Sequence, residues 1–271
     1  MMRKPTAALA ALAVGLFVAV VPAGAITDGH LDGNLHPAVG LIVMDIDGKP
    51  AFRCSGTLIA PTFVITAGHC AGEPGEFSGM RFFAESDVQS DTSYPLSGGP
   101  NTVDAVRWAS FPGFTENLFF LHDVGMLELA HPINLPSNQY GRLPTAGQLD
   151  QLKTKRGQQD VTFTSVGFGV QRINPTHLES VKIRMYAQPK LIQINVPGFV
   201  GDFSLLLSNN HSTGGTCFGD SGGPNYLGGT SSNLIAGITS FGRNGNCAGT
   251  GGVFRLDKQP VIDFVNDFMA D

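Results

Sequence analysis

The sequence predicts an all-β protein with one helix at its C-terminus, and three observations carry that expectation. Apolar runs of strand length recur along the chain, rich in β-branched and aromatic residues and separated by Gly, Pro, Asn and Asp. Glycine (35) and proline (17) are plentiful while charged residues make up only 14 %, as many short strands joined by turns would require. Helical periodicity is confined to the end, where Val261, Phe264, Val265 and Phe268 fall on one face behind Pro260, a residue suited to a first helical turn.

The chain opens Met1-Met2-Arg3-Lys4, continues through fifteen apolar residues from Ala7 to Val21, and reaches Pro22-Ala23-Gly24-Ala25. A basic head, a short apolar body and small residues before a cut describe a secretory signal peptide over residues 1–25. Fifteen residues fall short of the roughly 20 needed to cross a bilayer. Export with cleavage after Ala25 is therefore expected, leaving a secreted chain with no membrane attachment. The 246 residues that remain fit one compact unit or two small β domains. Losing Arg3 and Lys4 with no acid takes the net charge from −5 to −7, which argues against nucleic acid as a partner.

The strand candidates then come in order. They are Val39 to Ile46, a second within Gly56 to Thr66, Val124 to Leu129, Val161 to Phe168, Val181 to Tyr186, Leu234 to Ile238 and Gly252 to Leu256. Residues 72–118 are loop-rich and their strands cannot be paired from the sequence. Ala130 to Gly147, with Pro132, Pro136 and Pro144, is the best linker and divides the chain into 26–140 and 141–271. Four cysteines in an exported chain read as two disulfides with three pairings open. Two cysteines with His69 would be the zinc alternative, but no C-x-x-C spacing supports a metal, and no cofactor is expected. Asn210-His211-Ser212 matches a glycosylation sequon.

The chemistry concentrates in Gly219-Asp220-Ser221-Gly222-Gly223-Pro224. Its glycines free the backbone to turn tightly and let a substrate approach main-chain N–H groups. The amides of Gly219 and Ser221 can then face a developing oxyanion beside the Ser221 hydroxyl. A serine needs a base, and Thr66-Ala67-Gly68-His69-Cys70 offers one; Asp123, at the head of an apolar strand, can orient it. His122 is an alternative base, and Asp87 and Asp104 are alternative acids. Order removes two rivals. The α/β-hydrolases need a histidine after the serine, and none of the seven here follows Ser221; the subtilisin order needs its acid before the histidine.

The three segments, in the order His, Asp, Ser, resemble the chymotrypsin/trypsin family of serine endopeptidases over nearly all of the chain after residue 25. The resemblance implies two antiparallel six-stranded β-barrels packed across an active-site crevice, with His69 and Asp123 on the first and Ser221 on the second. It also implies pairing of Cys54 with Cys70 and of Cys217 with Cys247. By the same resemblance Asp220 pairs with the ammonium of a mature terminus, which a cut after Ala25 would place on Ile26. Gly215 becomes the floor of the primary pocket, with Thr216 beside it and Ser240-Phe241-Gly242 and Gly252 as its walls. An uncharged floor between glycines suits large apolar or aromatic side chains. The expected partner is a protein or peptide substrate of a monomeric enzyme. A catalytically silent binding module and an esterase on the same scaffold are the alternatives.

Overall fold

The computed structural model describes residues 26–152, 160–174, 177–195 and 201–271; the expected signal segment 1–25 lies outside them. The strands are β1 His30–Leu31, β2 Val39–Ile46, β3 Lys49–Ala60, β4 Phe63–Thr66, β5 Gly79–Phe83, β6 Thr102–Ser110, β7 Gly125–Leu129 and β8 Phe163–Gly167. They continue with β9 Arg172–Asn174, β10 His177–Glu179, β11 Met185–Ala187, β12 Leu191–Ile194, β13 Ser204–Asn209, β14 Pro224–Leu227, β15 Ile235–Gly242 and β16 Gly249–Arg255. Two α-helices are present among the described residues, α1 Gly68–Ala71 and α2 Gln259–Ala270, and no helix there is long and apolar enough to cross a membrane.

The first half is a closed barrel in the order β2-β3-β4-β7-β6-β5. β2 and β3 are joined by Asp47-Gly48, whose φ angles of 51° and 72° are those of a tight hairpin turn that matches strand twist. β2 is buried on both faces because one looks into the barrel and the other toward the second half, so its apolar run does not alternate. The second half is a curled sheet ordered β1-β11-β8-β14-β15-β16-β13-β12. It bends back on itself until Thr162 bridges Lys190, with Phe163 N–H donating to Pro189 O and Leu191 N–H to Val161 O, each at 2.8 Å. One apolar core runs through both halves.

The chain ends are exchanged. β1 pairs with β11 of the second half, while α2 lays Phe264 and Phe268 against Phe111 and Phe63 of the first.

Three local differences from the sequence expectation have physical reasons. Val181 to Tyr186 is strand only from Met185, because the residues before it bond to the loop 86–89 instead. There Gln89 N–H donates to Lys182 O, Asp87 bridges Ile183 and Arg184 N–H donates to Ser86 O. α1 is a helix beyond the C-terminal one; a single turn closed on Ala67 O and Gly68 O is too short to show periodicity. The loop-rich stretch 72–118 contributes two barrel strands, β5 and β6, which pair with each other through Arg81 to Asp104 and Phe83 to Thr102.

Candidate active site

The register of β4 on β7 builds the first part of the site. Thr66 lies opposite Gly125, so the chain leaving β4 toward His69 runs beside the chain entering β7 from Asp123. α1 then turns His69 back over the carboxylate. Asp123, fully buried, accepts from His69 N–H at 2.9 Å, and both its oxygens lie 3.0 Å from His69 Nδ1. Ser240 Oγ donates to Asp123 Oδ2. A carboxylate so placed fixes which ring nitrogen carries the proton and leaves Nε2 to act. Burial alone would depress the imidazolium, but the charge and hydrogen bond of Asp123 outweigh it and hold the His69 pKa above its ordinary value.

The second part is the 217–223 loop. Gly219 and Gly222 have φ of 94° and 77°, conformations that side chains resist, and a Cβ on Gly222 would lie 2.0 Å from Thr66 Oγ1. The loop is strapped to the first barrel: Ser55 N–H donates to Ser221 O at 2.8 Å and Ser55 Oγ to Gly219 O at 2.9 Å. Among the described residues neither the Gly219 nor the Ser221 N–H donates to a protein acceptor. That leaves two amides for a ligand. No hydrogen bond joins Ser221 Oγ to the His69 ring among the described residues; in unliganded sites this contact is often long and tightens with substrate.

Asp220 points the other way. It is fully buried, accepts from Gly169 N–H at 2.7 Å and from Cys217 N–H at 2.8 Å, and burial pushes its pKa up to about 7, with those amides and the charge of Arg53 opposing. In this chain Ile26 packs away from Asp220, on Met185 and Ala187, fully buried at φ 68°. That conformation is costly for a β-branched residue.

Cys54 is bonded to Cys70 behind His69, and Cys217 to Cys247 beside the nucleophile loop. The first bond uses both sulfurs of the Cys54, His69, Cys70 group, so no thiolate is present there to hold a metal. His69, Ser221, Gly219, Thr216, Ser240, Phe241 and Gly242 all line one cleft of about 870 Å³. His122 lies outside its lining, stacked on Phe111; Asp87 caps a turn at Ser90, and Asp104 meets Ser97.

The model of the family described as Trypsin matches residues 38–262. The chain belongs to the trypsin family. A collagenase from Hypoderma lineatum is 25 % identical over 72 % of this chain and 67 % of its own length. A chymase from Canis lupus familiaris is 26 % identical over 70 % and 69 %. In fold, the solved structure of HL collagenase superposes with a TM-score of 0.70 at 22 % identity, covering 91 % of this chain and 99 % of that one. A mutant of human heparin binding protein superposes at 0.63 and 19 %, covering 91 % and 97 %. As a member of this family the protein is a serine-type endopeptidase acting on proteins or peptides.

Two of the predicted pocket residues in this trypsin-family cleft stand behind its lining. A Cβ on Gly215 would meet Asn209 at 2.3 Å; the Asn209 amide donates to Thr216 O and accepts from Thr27 Oγ1. Gly252 is covered by the Phe241 ring, 2.2 Å from where its Cβ would be. Sequence reasoning missed Ser55, although it directly follows Cys54, and missed the edge of Phe119 against His69 at 5.4 Å. It also passed over Ser240 as a partner of Asp123. A serine's role as a strap depends on which strands become neighbours, and a motif does not state that.

Proposed function

We propose that this trypsin-family protein is a secreted, monomeric endopeptidase that hydrolyses peptide bonds through Ser221, His69 and Asp123. His69 takes the proton of the Ser221 hydroxyl as its oxygen attacks the scissile carbonyl. Asp123 stabilises the imidazolium that forms. The Gly219 and Ser221 amides receive the oxyanion. His69 then protonates the leaving amine, and water releases the acyl group by the same steps in reverse. The observation that carries this reading is the buried Asp123 held on His69 Nδ1 in a cleft that also presents Ser221 and two uncommitted amides.

Cleavage after large apolar or aromatic residues follows from an acyl-side wall of Phe241, Gly242 and Thr216 with no carboxylate to receive a Lys or Arg. Arg243 also lines the cleft, so cleavage after Glu is the competing specificity. A signal cut after Ala25 would free the Ile26 ammonium to neutralise Asp220, at the same point where the uncut chain holds Ile26 in a strained conformation.

The test is labelling of the purified mature protein with a phosphonofluoridate reagent, together with a peptide-library digest. Labelling at Ser221 and cuts after Phe, Tyr or Leu are expected. Absence of both would leave a silent binding module, and labelling without peptide cleavage would leave an esterase. Predominant cutting after Lys or Arg would overturn the specificity.

A further inference from the structure

We propose that the leaving-group side of the cleft selects an acidic side chain, within two residues after the scissile bond, through Arg53. This rests on the endopeptidase reading above. β14 covers β15 only as far as Thr239, and the stretch from Ser240 to Gly242 runs on into the cleft, where an extended acyl-side peptide can lie along it. With the carbonyl held by the Gly219 and Ser221 amides, the leaving side must run toward the opposite wall. That wall is built from Phe52, Arg53 and Phe218, with both phenyl groups more than half exposed.

Arg53 is the last residue of that wall before the Cys54 disulfide, and it reaches the oxyanion loop. A Cβ on Gly219 would lie 3.4 Å from its Nε. Of its five N–H donors, the bond it makes among the described residues is to Ser180 Oγ, and no carboxylate there lies within ion-pair distance. A half-buried guanidinium with donors to spare suits a carboxylate bound in a fork. Its charge is felt nearby: after burial, Arg53 is the second cause that holds the Lys182 pKa below its ordinary value. Glu76 and Glu116 also line the cleft, close enough that, after burial, Glu116 helps hold the Glu76 pKa above its ordinary value, and their charge disfavours an acid placed beside them.

The experiment uses the mature enzyme and quenched peptides that share one acyl side and carry Glu, Gln or Lys at the first or second leaving-side position. The wild type should favour Glu over Gln by about ten-fold in kcat/KM, the equivalent of one charge-assisted contact, and the preference should shrink with salt. In Arg53→Gln the Glu-to-Gln ratio should fall to about one, while Arg53→Lys should keep part of it. If Arg53 only supports the Asp220 loop, Arg53→Gln will slow all peptides in proportion and leave the ratio intact, which overturns the inference. Cleavage by the wild type without acidic preference overturns this inference alone. No cleavage of any peptide, and no labelling of Ser221, overturns the endopeptidase reading and this inference with it.

Discussion

The two halves of the molecule bring their proposed catalytic groups to the cleft by different means. In the first barrel all six strands close on one another, and His69 and Asp123 are fixed by strand register, three hydrogen bonds between them and a disulfide behind. In the second, Ser221 sits on a loop of positive-φ glycines, tied by Ser55, a disulfide and a buried carboxylate that has no ion pair among the described residues. The base is therefore positioned by folding alone. In the proposed mechanism, the nucleophile and its amides depend on a charge balance at Asp220.

Breaking each half at its centre should give the largest effects. Ser221→Ala should lower kcat by about 10⁶-fold, and Asp123→Asn by about 10⁴-fold through the wrong histidine tautomer, as in other Ser-His-Asp hydrolases. Both variants should keep the wild-type far-UV spectrum. Near-wild-type turnover by Ser221→Ala would remove the nucleophile from the second half altogether.

The pH profile of kcat/KM sharpens the comparison on the first half. His69 must be neutral to act, and Asp123 holds its pKa above the ordinary value. Activity should therefore fall with acid below a midpoint higher than about 6.5. In Asp123→Asn the residual activity should fall at lower pH than this.

Removing a disulfide compares the two anchors directly. Cys217→Ser with Cys247→Ser opens a 30-residue loop, and Cys54→Ser with Cys70→Ser a 16-residue one. Each should cost roughly 2–5 kcal/mol in denaturant unfolding. Only the first pair should also raise KM several-fold, since Cys217 and Cys247 both line the cleft whereas Cys70 lies outside its lining.

The smallest effect concerns Asp220 in uncut chain. A carboxyl whose folded pKa is raised to about 7 keeps its proton in the fold after the unfolded chain has lost it. Its contribution is complete below about pH 4 and disappears as pH rises toward 7. Thermal unfolding should show the uncut Asp220→Asn variant losing less stability than the uncut wild type between those values. A chain beginning at Ile26 should behave like that variant if its ammonium meets Asp220.

Legibility from the sequence followed the locality of the signal. His69, Asp123 and Ser221 were readable because each sits in a short motif, and the C-terminal helix because its period is local. β5, β6 and β13 were not readable. Ser204–Asn209 is buried throughout and shows no alternation, and the pairing of β5 with β6 spans a loop of 18 residues. The pocket was the least readable part. Whether Gly252 opens a wall depends on where the Phe241 ring falls, and the bulge between Thr239 and Phe241 decides that.

The exchanged chain ends have a mechanical consequence. Each disulfide closes within one half, so no covalent bond other than the main chain joins the halves. Yet β1 is woven into the second half and the last helix is clamped on the first, with Arg107 over the Phe268 ring at 4.0 Å. A single nick in the exposed turn at Pro136 to Gln139 would thus leave two fragments gripping each other by swapped arms. A protease built this way can be cut once by a sister molecule and remain in one piece until denaturant lets the fragments part.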